Sequence, residues 1–272
     1  MRLNLLGVRG STPAPGAEFV RYGGHTSCVA IQADGWAVPR LVLDAGTGIR
    51  SLTGLLGGRS FEGSILLSHL HWDHVHGLPF FTAGDRADAD VSLYLPAQGS
   101  GTGLQLLGRA MSPPSFPITP DQLCGTWRFE ATEPRTWTVE GLTVTACQIA
   151  HKGGRTFGYR IDDGSSSVAY LPDHAPAAGL MAGVLDMIRG VDVLLHDAQF
   201  VESERSLADL YGHATVDDTV RLAEAAEVGS LVLFHHSPVR TDDQLDAMAS
   251  VVSGTVPMVF ARQGDVLDTQ RR

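Results

Sequence analysis

An apolar run, Ile65-Leu66-Leu67, leads directly into Ser68-His69-Leu70-His71-Trp72-Asp73-His74. No other stretch restricts the fold so tightly. Four side chains of metal-binding type, His69, His71, Asp73 and His74, fall within six residues. The apolar run reads as the end of a buried strand, and Gly77 and Pro79 mark a turn beyond it. In extended backbone alternate side chains share a face, so His69 and His71 can address one ion. Asp73 and His74 lie past the strand, where the turning chain can aim them at a second ion. Imidazole and carboxylate suit zinc, manganese or iron(II), and no cysteine stands near enough to impose a thiolate site.

The pattern His-x-His-x-Asp-His at 69–74 resembles the metal motif of the metallo-β-lactamase superfamily. That resemblance implies further ligands downstream, each at the end of a strand-like run. Three residues meet the description: His151 after the alternating segment 141–149, Asp173 after Val168–Leu171, and His235 after Leu231–Phe234. The economical assignment puts His69, His71 and His151 on one ion and Asp73, His74 and His235 on another. Asp173 bridges, since a carboxylate can span two cations about 3.5–4 Å apart.

The remaining elements follow from pattern and punctuation. Strands are expected over 2–6, Ser27–Gln32, Leu41–Asp44, Val91–Leu95 and Val191–Leu195. Thr156–Ile161 and Val168–Leu171 form a hairpin turning at Asp162-Asp163-Gly164. Thr215 caps a helix presenting Val216, Val220 and Ala223. Thr241 and Gln244 form a capping box ahead of Leu245, Met248 and Val252. Leu78–Ala83 reads as a short helix. The Gly- and Pro-rich stretch 97–126 reads as one long irregular loop, a lid or substrate wall, with Met111, Phe116 and Trp127 as its apolar face. Asp44, before a Gly-rich turn, should accept loop N–H bonds and brace the metal loop. Arg9, in a loop near the N-terminus, is a candidate to face an anionic substrate. His196 and His236 adjoin strand ends and are candidate supports for the ligands. His25 reads as a structural hydrogen-bonder.

The formal net charge is −10 over 272 residues. That disfavours a long polyanion spread over a broad surface, which needs clustered Lys and Arg. It leaves room for a small anion held by two dications. No stretch of 18 apolar residues suggests a membrane span, and the N-terminus does not read as a signal peptide, so a cytoplasmic protein of one domain, 1–272, is expected. Cys28, Cys124 and Cys147 form no C-x-x-C pair and are expected to be buried free thiols. The oligomeric state is open, a homodimer included.

The C-terminal half sharpens the resemblance. Leu195-His196-Asp197-Ala198-Gln199, then Gly212-His213-Ala214-Thr215, then Leu233-Phe234-His235-His236-Ser237 look like the phosphodiesterase and ribonuclease Z branch of the superfamily. The opening Gly7-Val8-Arg9-Gly10-Ser11-Thr12-Pro13 is similar to bacterial members of it. The resemblance implies a four-layer αββα sandwich of two mixed sheets and a non-ligand histidine, His213, that reaches the leaving group. It implies catalysis by Asp73 and His213 with two divalent ions, most simply zinc. The expected reaction is hydrolysis of a small, cyclic nucleotide-like phosphodiester by a hydroxide held between the ions. A ribonuclease Z-like endoribonuclease and a lactonase or β-lactamase-type acyl hydrolase are the alternatives. His25 and Pro172 depart from the branch pattern, and neither is a ligand position.

Overall fold

The structure is a computed structural model that describes residues 1–176 and 183–269. Fourteen strands are present among these residues. The first sheet is built from β1 (Arg2–Gly7), β2 (Cys28–Gln32), β3 (Leu41–Leu43), β4 (Glu62–Leu66), β5 (Asp90–Pro96) and β6 (Thr126–Thr132). The second is built from β7 (Arg135–Val139), β8 (Leu142–Ile149), β9 (Thr156–Asp162), β10 (Ser167–Leu171), β11 (Val193–Asp197), β12 (Leu231–Phe234) and β13 (Met258–Phe260). β14 (Val266–Asp268) returns to the first sheet beside β1.

Each sheet follows chain order, and each changes character part-way across. β1, β2 and β3 pair antiparallel, and β3 to β6 pair parallel. β7 to β10 pair antiparallel, and β10 to β13 pair parallel. Parallel strands need both faces covered. Between the sheets lies a core that joins Leu3, Val29 and Leu43 of the first to Val144, Tyr159 and Leu195 of the second. Helices close the outer faces. On the first sheet these are α1 (Leu52–Leu55), α2 (Trp72–Val75) and α3 (Gly103–Gly108). On the second they are α4 (Val184–Ile188), α6 (Val216–Ala225) and α7 (Asp242–Val251), with α5 (Arg205–Tyr211) preceding α6 in the chain. The result is the expected four-layer sandwich. β4 runs parallel to both of its neighbours, and β10, β11 and β12 run parallel to one another. The residues at or just after their C-terminal ends meet in one place.

Four local expectations change. The stretch 97–126 is not wholly irregular: it contains α3, whose Thr102 hydroxyl accepts from the Gln105 amide while the Gln105 Oε1 accepts from the Thr102 amide. It also holds a 3-10 turn at Pro120–Gln122, and β6 begins within it at Thr126. Met111 is buried, Phe116 packs edge-on against Phe80, and Trp127 belongs to β6, where it stacks on Phe129. The strand expected from Val191 begins at Val193 and runs through His196 to Asp197. At 78–83 the helix is only a 3-10 turn, Leu78–Phe80, which stops where Phe81 leaves helical geometry at φ −84° and ψ 82°. Of the cysteines, Cys28 is buried, Cys147 is partly so and Cys124 is exposed. Among the described residues no helix is long and apolar enough to cross a membrane.

Candidate metal centre

β4 ends at Leu66, and the three residues after it remain buried before α2 turns the chain. That turn carries Asp73 and His74 inward at the start of α2. The loops after β8, β10 and β12 bring His151, Asp173 and His235 to the same place. Two groups of donor atoms result, each lying within 4.8 Å of one another: His69, His71, His151 and Asp173, and Asp73, His74, His235 and Asp173. Either group could hold a metal ion.

Asp173 belongs to both. Its Oδ1 lies 3.1 Å from His74 Nε2 and 3.2 Å from His235 Nε2. Its Oδ2 lies 3.7 Å from His69 Nε2 and 3.6 Å from His151 Nε2. Asp73 Oδ2 sits 3.1 Å from His74 Nε2 and 3.2 Å from His235 Nε2, and accepts the Ser11 amide at 2.6 Å.

Outer contacts fix which ring nitrogen each histidine offers. His151 Nδ1 donates to the Gly212 carbonyl at 2.6 Å. His74 Nδ1 donates to Asp44 Oδ2 at 2.7 Å. The Ser68 hydroxyl donates to Asp44 Oδ2 at 2.8 Å and so accepts from His69 Nδ1 at 3.0 Å. With Nδ1 engaged, Nε2 is the nitrogen that each of the three rings presents to the cluster. His69 Nε2, His74 Nε2 and Asp173 Oδ1 are buried and have no hydrogen-bond partner within the protein. Buried polar atoms are rarely left so. Three such atoms converging on one another are what a cation would satisfy, and the donor types fit a borderline divalent ion such as zinc.

Charge is arranged to match. Burial alone would raise the Asp73 and Asp173 carboxyls, but the facing histidines, His74 on Asp73 and His235 and His74 on Asp173, hold both well below the usual carboxylate range. Burial, with further opposition from His74, holds His69 well below the usual imidazole value, so it is neutral and able to ligate.

Backbone strain accompanies the site. Asp44 and His235 are non-glycine residues with φ of 57° and 58°. Asp44 is held there by bonds from the Ser68 amide and hydroxyl, His74 and the Tyr170 hydroxyl. His235 is followed by His236, whose amide donates to Val8 and whose carbonyl accepts from Gly10. A Cβ at residue 10 would come within 2.4 Å of the His235 ring, so only glycine fits.

His213 lies beside the donor groups, its ring 5.3 Å from that of His235 and 5.0 Å from that of His151. Its Nδ1 donates to Asp197 Oδ2 at 2.7 Å. Burial disfavours the charged ring, but the Asp197 carboxylate outweighs it and raises His213 to about 9. Asp197 is itself fixed by the Gln199 and His174 amides. Asp197, Ser11, Ser68, Gly212 and Tyr170 were not singled out by sequence pattern. Of these, Asp197, Ser11, Ser68 and Gly212 fall inside the quoted motifs, and Tyr170 had no signal.

Other expected roles shift. Arg9 is fully buried, so it offers no face to a substrate in solution. It donates to the carbonyls of Gly23, Ser237 and Arg240 and pairs with Asp242, so it clamps the loop after β12 to α7. His196 and His236 touch no candidate ligand ring: His196 bonds His174, Asp197 and Thr219, and His236 bonds the Ala261 carbonyl. Asp44 does touch His74, as just described, and His25 bonds Thr47.

Asp73, His151, Asp173 and His213 open into a cavity of about 730 Å³. The matching family model, the beta-lactamase superfamily domain, covers residues 40–236. The chain is 30% identical over 253 residues to the uncharacterized protein Rv1339 of Mycobacterium tuberculosis, covering 88% of this chain and 81% of that one. It is 26% identical over 253 residues to a Ribonuclease Z of Nocardia farcinica, covering 74% and 79%. Among solved structures, the metallo-beta-lactamase fold protein YhfI of Bacillus subtilis superposes with a TM-score of 0.74 at 20% identity, over 98% of this chain and 99% of that one. A diphosphatase from the PhnP family superposes with a TM-score of 0.70 at 20% identity, over 98% and 97%. The chain therefore belongs to the beta-lactamase superfamily, among its metallo-β-lactamase-fold hydrolases.

Proposed function

We propose that this chain hydrolyses a small phosphodiester, of cyclic nucleotide type, with two divalent ions, most simply zinc, held by the two donor groups. The observation that carries the reading is Asp173, whose two oxygens each face a separate set of imidazoles. Two ions so placed would supply an acidified water and neutralise the phosphoryl oxygens. The chain's own residues do the rest. Asp73 is held by the Ser11 amide and orients the attacking water. Asp197 holds His213 Nδ1, which leaves Nε2 to deliver a proton to the leaving oxygen. A cavity of about 730 Å³ suits a small substrate, and a net charge of −10 suits one that does not need a broad basic surface.

The Ribonuclease Z relative keeps one second reading alive, an endoribonuclease. It requires tRNA binding that weakens steeply with salt. An acyl hydrolase acting on an activated ester has no need of a proton at the leaving group from His213.

The test is a pair of turnover numbers. His213→Ala should keep its ions and fold, and should lose roughly 10²–10⁴-fold on a cyclic nucleotide. It should lose much less on bis(p-nitrophenyl) phosphate, whose leaving group needs little protonation. Equal losses on both would remove the proton-donor role, and ester turnover indifferent to the substitution would favour the acyl hydrolase.

A further inference from the structure

Trp72 sits between His71 and Asp73, yet it is 68% exposed. It is the first residue of α2, and the two that follow it turn inward. His76 lies nearly parallel to its ring, with centroids 5.3 Å apart and planes at 20°. One face of the indole is thus backed by an imidazole. An exposure of two-thirds then requires the other face to be open. Trp72 borders the 730 Å³ cavity and also a second groove of about 320 Å³; Leu70, His71 and Gly153 line both as well. The groove carries Arg109 and Arg155. Arg155 pairs with Glu133, while Arg109 is exposed and makes no ion pair among the described residues.

A large indole with one face in water, backed and oriented by a second ring, has no packing role on that face. Its location does have a chemical meaning. Any diester held at the donor cluster must send its substituents out through the mouth that Trp72 borders. An aromatic face accepts the π-face of any nucleobase with little sequence preference. The Arg109 side of the groove favours an anionic nucleotide over a neutral aromatic ester.

We propose that the open face of Trp72 stacks on the nucleobase of the substrate, so that the substrate is a nucleotide and Trp72 sets that specificity. The proposal rests on the phosphodiesterase reading of the adjoining site. Trp72 touches the base and not the reacting atoms. The preference it confers is for the presence of a base, not for its identity.

The test compares 5′-AMP with ribose 5-phosphate, which carries the same phosphate and sugar without the base. Both are titrated calorimetrically into the metal-loaded protein, its Trp72→Leu variant and its Trp72→Phe variant. Stacking of this kind corresponds to roughly 5–150-fold in affinity. The wild type should bind AMP tighter than ribose 5-phosphate by that factor, and GMP and CMP should follow AMP. Trp72→Leu should bring AMP to the level of ribose 5-phosphate, and Trp72→Phe should keep part of the gap. The ratio of the two ligands cancels any effect of the substitution on the ions. Equal affinities in the wild type, or a gap that survives Trp72→Leu, overturns the proposal. So does a change of oligomeric state in Trp72→Leu with the gap intact, which would make Trp72 a subunit contact. Failure of both ligands to bind the wild type also overturns the proposal, whereas the phosphodiesterase reading is overturned separately, by absence of turnover on the cyclic nucleotide and bis(p-nitrophenyl) phosphate.

Discussion

The donor group of His69, His71 and His151 reaches solvent, whereas Asp73, His74 and His235 are buried. The exposure on the first side belongs to His71, since the side chain of His151 is only 2% exposed. The two groups also differ in charge. The buried side has a carboxylate of its own, Asp73, and a second one, Asp44, behind His74. The open side has only its share of Asp173 and neutral supports, the Ser68 hydroxyl and the Gly212 carbonyl. A buried cation needs compensating charge more than one near water does. On the proposed two-ion reading, the buried side would hold its ion more tightly and the open side would be the half that exchanges ligands.

The largest effects should separate the halves outright. His74→Ala should lose the ion of the buried side. It should also destabilise the fold by about 1–3 kcal/mol, because the Asp44 carboxylate loses one of its buried donors. His71→Ala should lose the open-side ion and leave thermal unfolding of the ion-free protein nearly unchanged. Elemental analysis and denaturant melts on both variants check this; equal destabilisation would erase the distinction.

Next in size is Asp197→Asn. The Asp197–His213 pair belongs to neither half, so both ions should stay. Turnover on a cyclic nucleotide should fall by roughly 10²-fold, within the range for a misplaced proton donor. Ion loss in this variant would tie Asp197 to the donor set with His213 and His235, a third grouping of metal-binding side chains.

A smaller effect is expected from Asp44→Asn. It should weaken the buried-side ion by roughly 10–100-fold and spare the other, the usual result of removing a carboxylate behind a ligating histidine. Competition with a chromogenic chelator measures it. Equal weakening of both ions would mean that Asp44 acts through Ser68 on His69 as much as on His74.

The same two-sidedness explains what was legible in the sequence. The first half of the chain concentrates four donors in one turn, His69 to His74, and a pattern that dense can be read directly. The second half supplies His151, Asp173 and His235 one at a time, and each became readable because an apolar strand precedes it. The hairpin of β9 and β10 and the capped helices α6 and α7 were legible because their signals are local. The supports were not. Asp197 meets His213 across 16 residues, and Ser11 meets Asp73 across 62, with no periodicity to link them. Arg9 shows the opposite error: a charged residue beside glycines looked like a substrate contact, while its partners Gly23, Ser237 and Asp242 lay far along the chain. α3 was hidden because Gly103 and Gly108 at its two ends diluted a valid Thr102–Gln105 box. β6 was missed although Trp127, Phe129 and Ala131 alternate, since the neighbouring Pro and Gly suggested a loop.

The central claim is that Asp173 joins two unequal ion sites. The direct measurement is the number of ions per chain, by elemental analysis along a chelator titration, for the wild type and Asp173→Ala. The wild type should hold two ions and release them in two separated steps, with activity lost at the first. Asp173→Ala should hold no more than one. A wild type that binds a single ion, or an Asp173→Ala variant that retains two tightly, would contradict the account.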